Sequence, residues 1–117
     1  MVEDAADEAR QVQALVQRFL RDGRLIRLPA KFTVRKEVLR YLAMRDFRPY
    51  TWYAEQDVNE ILKVWCEGAA ATDYVSVRRY LIDYHILDRE DGGRYWLLGA
   101  WQAPVSGEPA PQKLRAT

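Results

Sequence analysis

Cysteine and histidine are almost absent from this chain, with one of each in 117 residues. A single cysteine forms no internal disulfide and no thiolate metal cage, so a cytoplasmic setting is the expectation. A single imidazole, His85, supports neither a multi-histidine metal site nor a Ser-His-acid triad with its helpers. Net charge is scarce as well. The 18 Lys and Arg against 17 Asp and Glu leave +1, which removes the simplest argument for nucleic-acid binding, a strongly basic chain. No apolar run approaches the roughly 20 residues that cross a bilayer, so no membrane partner is expected. Met1 leads into acidic residues rather than a basic stretch followed by an apolar one, and no signal peptide is expected.

The residues that are present describe a folded domain. Hydrophobic residues make up 49% of the chain and charged residues 30%, a balance that argues against disorder. The near-zero mean hides an uneven distribution. Residues 23–48 carry eight basic and two acidic groups, whereas residues 49–73 carry one and five. A basic block of that size sets up a local positive field even in a neutral protein; a solvated helix neutralised by its acidic neighbours is the plainer alternative.

The periodicity predicts three parts: an amphipathic N-terminal helix within residues 1–23, a winged-helix-like domain over 24–101 and a flexible Pro- and Gly-bearing tail over 102–117. In the first, Val12, Leu15, Val16, Phe19 and Leu20 recur at helical spacing over Asp4 to Arg21, and Gly23 stands where a left-handed cap is usual. A short apolar piece, residues 25–29, ends at Pro29. A second helix is expected from Thr33 as cap to about Arg45, a third from about Ala54 to Trp65, and a fourth from a Thr72 or Asp73 cap to about Tyr84. Two apolar runs then flank Glu90-Asp91-Gly92-Gly93, a hairpin signal. The fold class expected is mainly α with a small β-hairpin: a winged helix-turn-helix preceded by an amphipathic helix.

Three spaced motifs carry a family resemblance. Leu28-Pro29-Ala30-Lys31 is followed by Tyr53-Ala54-Glu55-Gln56-Asp57-Val58-Asn59-Glu60-Ile61-Leu62. Asp73-Tyr74-Val75-Ser76-Val77-Arg78-Arg79-Tyr80-Leu81-Ile82-Asp83-Tyr84-His85 comes next, with Gly93-Arg94-Tyr95-Trp96 behind it. The stretch from Leu28 to Trp96 resembles the bacterial domain of unknown function 2087 family. The resemblance implies a transcription-related role, because such modules occur alone or fused behind DNA-binding regulator domains. That fusion equally suits a module that senses a ligand or mediates assembly. Two positions depart from the family pattern: its helix-capping Thr is Ala54 here, and its Gly after the fourth helix is His85.

The fourth helix is the candidate reading helix. Helical geometry places Tyr74, Val77, Arg78, Leu81, Ile82 and Tyr84 inward and Ser76, Arg79, Tyr80 and Asp83 outward. Arg78 is expected to be tied to a carboxylate such as Asp57, Glu60 or Asp88, since an unpaired buried cation is too costly. Arg79 is the candidate for phosphate or guanine, with an i,i+4 pair to Asp83 as the alternative. Lys31, Arg35, Lys36 and Arg40 are the phosphate candidates on and before the second helix, and Arg94 the one on the wing. Tyr50, Trp52 and Tyr53 are the candidate interaction surface, with packing of two of the three under the N-terminal helix as the alternative.

No catalytic set stands out. Asp91-Gly92-Gly93 is a turn and not a phosphate loop, Glu55 and Asp57 lie on different sides of a helix, and Cys66 reads as a small filler. Neither an enzyme nor a metal or other cofactor is expected. The leading expectation is a DNA-binding regulator or accessory protein, weak and salt-sensitive in its binding, with a homodimer through the N-terminal helix. The competing one is an interaction or ligand-sensing module on the same scaffold; no small-molecule effector is identified. A continuous positive stripe through Arg35, Lys36, Arg40 and Arg79 would favour DNA.

Overall fold

The computed structural model describes residues 2–68, 72–91 and 93–98, and for residues 2–6 and 8 the backbone alone. The expected tail at 102–117 lies outside the described residues. Helix α1 (Val2–Phe19) leads into a two-stranded ribbon of β1 (Leu20–Arg21) and β2 (Arg24–Leu25). Helix α2 (Phe32–Asp46), strand β3 (Tyr53–Ala54) and the helix pair α3 (Glu55–Trp65) and α4 (Tyr74–Asp83) follow. Strands β4 (Leu87–Arg89) and β5 (Arg94–Leu97) close the chain. The fold is mainly helical, with a three-stranded antiparallel sheet of order β3-β5-β4 after the helices.

The end of α1 differs from the expectation. Asp22 and Gly23 both have positive φ, 55° and 79°, and link strands paired Leu20 to Leu25 and Arg21 to Arg24. Two left-handed residues are what a tight antiparallel hairpin requires, and Asp-Gly is among the sequences best suited to it. Gly23 therefore turns a ribbon instead of capping a helix, and α1 stops at Phe19.

Helix α2 starts at the Lys31 N-cap, with no side chain capping it and Thr33 inside the first turn. It ends where Phe47 returns its amide to the Ala43 carbonyl at 2.9 Å, just ahead of Arg48-Pro49, a pair that resists helix. Helix α3 has Glu55 and Asp57 in its first turn and Lys63 in its last, charges that suit the helix dipole. Its N-cap, Ala54, offers no side-chain acceptor. Thr51 does not replace it, since its hydroxyl donates to the Pro49 carbonyl at 3.0 Å.

Asp73 caps α4: its carboxylate accepts the Val75 amide at 3.0 Å and the Ser76 hydroxyl at 3.2 Å. At the other end His85 takes a left-handed φ of 59°, while Ile86 donates to the Leu81 carbonyl at 2.9 Å and His85 to that of Ile82 at 3.0 Å. These are the paired bonds of a Schellman ending, which favours glycine at the left-handed position.

The core gathers Val38, Leu39, Leu42 and Ala43 of α2, Val58, Leu62 and Trp65 of α3, Val77 and Leu81 of α4, and Leu87, Tyr95 and Leu97 of the sheet. Phe19, Leu20 and Leu25 close one side of it. Phe47 stands between two rings, edge-on to Tyr53 at 4.9 Å and to Trp65 at 6.1 Å between centroids. Among the described residues no helix is long and apolar enough to cross a membrane.

Candidate nucleic-acid interface

The outward face of α4 and the neighbouring sheet enclose an open cleft of about 270 Å³, lined by Arg78, Arg79 and Arg89 together with Val75, Ile82 and Tyr95. Among the described residues Asp83 is the one acidic residue on its wall. Arg89 reaches it because strand pairing sets Arg89 opposite Tyr95, whose ring is buried against the helices. The Tyr95 hydroxyl donates to Glu55 Oε1 at 3.2 Å and accepts from Arg89 Nη1 at 3.5 Å. That contact with Tyr95, in first place, holds the Arg89 guanidinium above its ordinary range. Arg78 donates to Asn59 Oδ1 and lies 4.0 Å from Glu55 Oε2. Arg78 is thus tied as expected, but to Asn59 and Glu55 and not to Asp57, Glu60 or Asp88.

Arg79 is exposed in this cleft, and no ion pair joins it to Asp83 among the described residues. The outward face of α4 is rotated from the expected one. Val75 is 39% exposed and Ile82 borders the cleft, while Tyr80 turns partly inward and stacks on Tyr84 with centroids 5.4 Å apart. Ser76 is exposed but spends its hydroxyl on the Asp73 cap.

The expected positive stripe divides among separate places. Arg35 donates through Nε to the Tyr84 hydroxyl at 2.7 Å and through Nη1 to the carbonyls of Ala30 at 2.8 Å and Pro29 at 3.2 Å. Its guanidinium also lies over the Tyr80 ring at 4.6 Å. With Nε and Nη1 engaged in this way, Arg35 fastens α2 to the end of α4. Arg40 instead lines a cleft against Gln11, Val12 and Leu15 of α1. Lys36 is half-buried and Lys31 exposed at the start of α2. On the hairpin, Arg94 pairs with Glu90 at 2.6 Å and lies over the Trp52 ring at 4.4 Å.

The aromatic trio does not form one exposed surface. Tyr50, Trp52 and Tyr53 are all half-buried. Tyr53 packs on Phe47 and accepts the Arg48 amide at 2.8 Å, whereas Trp52 meets Trp96 edge-on at 4.8 Å on the outer side of the sheet. Tyr50 has a left-handed φ of 56°.

A family model described as an uncharacterized protein conserved in bacteria, DUF2087, matches residues 24–97. The chain belongs to this family. Comparison with curated proteins and with solved structures finds no match. The DUF2087 segment contains the whole cleft, from Val75 to Tyr95, and leaves α1 and β1 outside it. Of the cleft's arginines, Arg89 was not among the expected DNA contacts. Its signal was the alternation of Leu87-Asp88-Arg89, which puts Arg89 on the same side as the buried Leu87 and hence toward α4.

Proposed function

We propose that this protein binds duplex DNA as a winged helix-turn-helix module, acting as a transcriptional regulator or an accessory to one. The reading is supported by the element order α2-β3-α3-α4-β4-β5 and by the sheet order β3-β5-β4. In that arrangement the second helix of the pair enters the major groove. The observation that carries it is the cleft between α4 and the hairpin, where Arg79 and Arg89 face solvent together. Arg79 is assigned the groove contact and Arg89 a flanking phosphate. Asp83 on the cleft wall and Asp91 at the hairpin tip oppose phosphate, so binding is modest and falls with salt. A homodimer through α1, in which Val12 and Leu15 are half-buried, would double that footprint.

The test is binding of a duplex pool by the full chain, titrated against salt and followed by fluorescence anisotropy. Arg89→Glu should weaken binding and lower the salt slope by about one, and Arg79→Glu should weaken binding. An unchanged slope in Arg89→Glu with unchanged affinity in Arg79→Glu, or no binding by the parent protein at low salt, overturns the reading. The second reading, an interaction module without DNA readout, draws on exposed Val75 beside Ile82 on the same helix face and on the engagement of Arg35, Ser76, Tyr80 and Arg94 within the fold.

A further inference from the structure

A second basic site lies away from the α4 cleft and is independent of the DNA reading. The last turn of α1, the segment after β2 and the start of α2 enclose a cleft of about 390 Å³. Arg18, Arg27 and Lys31 line it, with Phe19, Pro29 and Val34 as an apolar wall and, among the described residues, no acidic residue on it. Both guanidiniums sit over a single ring, Arg18 at 5.3 Å and Arg27 at 4.9 Å from the Phe19 centroid. Two like charges fixed within about 10 Å, one screening length at 0.1 M salt, repel unless an anion lies between them. Among the described residues no ion pair joins Arg18, Arg27 or Lys31 to a carboxylate. The start of α2 adds to the field: Lys31 is its N-cap, no side chain caps it, and its first turn has no acidic residue. Stacking on Phe19 holds the two guanidiniums in place before any ligand arrives, which reduces the ordering needed on binding.

We infer that this cleft binds the phosphate group of a small phosphorylated ligand, with Arg18, Arg27 and Lys31 holding the phosphate and the half-buried Val34 against the ligand's apolar part. The volume is that of a small-molecule site. Because α2 is fastened to the end of α4 through Arg35 and Tyr84, the cleft is one helix away from the proposed reading helix, the position of an effector site.

The experiment is a titration of the full chain with pyrophosphate at constant ionic strength, read by amide NMR shifts. Saturable shifts are expected at Arg18, Arg27 and residues 31–34, with the apparent affinity falling tenfold or more in Arg27→Gln and in Arg18→Gln. The spectrum of each variant reports whether the fold is kept. Shifts that never saturate, that spread over every basic surface, or that persist unchanged in a folded Arg27→Gln overturn the assignment. A duplex arm separates the two sources of phosphate. Arg27→Gln should leave the salt slope of DNA binding unaltered, and a slope lowered by about one would make these residues backbone contacts and overturn the small-ligand site.

Discussion

Trp65, fully buried, donates its indole N–H to Asp46 Oδ2 at 2.7 Å. The same carboxylate accepts two bonds from its neighbour Arg45, at 2.8 and 2.7 Å. The last turn of α2 thereby satisfies the one polar atom of the largest side chain in the core. Asp46→Ala would remove the acceptor of that buried indole N–H, a loss of about 1–3 kcal/mol. Asp46→Asn retains a neutral acceptor and should lose less. Thermal unfolding of the three proteins checks the order.

The Asp46 carboxyl is held below its ordinary 3.8, first by hydrogen bonds from Arg45, against burial and with help from Trp65. The folded state therefore takes up this proton less readily than the unfolded chain. Its contribution is full above about pH 4 and disappears as pH falls through the lower, folded-state value. Denaturant midpoints measured from pH 6 down to pH 2 should fall more steeply for the parent than for Asp46→Asn, which lacks this titration.

Burial pushes the Cys66 thiol up to about 11, with the charge of Asp73 adding to the effect. The thiolate, which is the nucleophile, is then scarce at neutral pH. Labelling by iodoacetamide should be at least tenfold slower than for a free cysteine at pH 8, and unfolding in urea should restore the ordinary rate. A fast reaction of the native protein would contradict the burial.

Helices α2 to α4 and the β4–β5 hairpin were readable in the sequence, because each buries a periodic set such as Val58, Leu62 and Trp65 or flanks a turn built from glycine. Strands β1, β2 and β3 have two residues each, too few for any period to show, and Asp22-Gly23 fits both a helix end and a hairpin. The candidate sites were less readable for a different reason. A block of positive charge says where cations lie along the chain, whereas Arg35 is spent on a hydroxyl 49 residues away and Arg40 faces α1. Arg18 and Arg27 meet over Phe19 only after the β1–β2 ribbon folds the chain back. Contacts of that range have no local signature.

His85 stands in the left-handed position that ends α4, with an exposed side chain. A residue with a Cβ is strained there by about 1–2 kcal/mol, and glycine is not. His85→Gly should raise the denaturant midpoint by an amount worth about 1 kcal/mol at unchanged slope, whereas the β-branched His85→Val should lower it.

Arg35 separates a structural cation from a phosphate-binding one. Its Nε and Nη1 donate in different directions, to the Tyr84 hydroxyl and to the carbonyls of Pro29 and Ala30, while the plane covers Tyr80. A lysine keeps the charge but presents a single ammonium, which cannot make these bonds together. Arg35→Lys should therefore destabilise the fold by about 1–3 kcal/mol and leave the salt slope of DNA binding as it is. Arg79→Lys should do the reverse: little change in the unfolding midpoint, because the side chain is exposed, and a weaker complex, because a bidentate contact is lost. Measuring both properties on both variants distinguishes the roles. A destabilised Arg79→Lys, or an Arg35→Lys with the stability of the parent, would contradict this division of labour between α2 and α4.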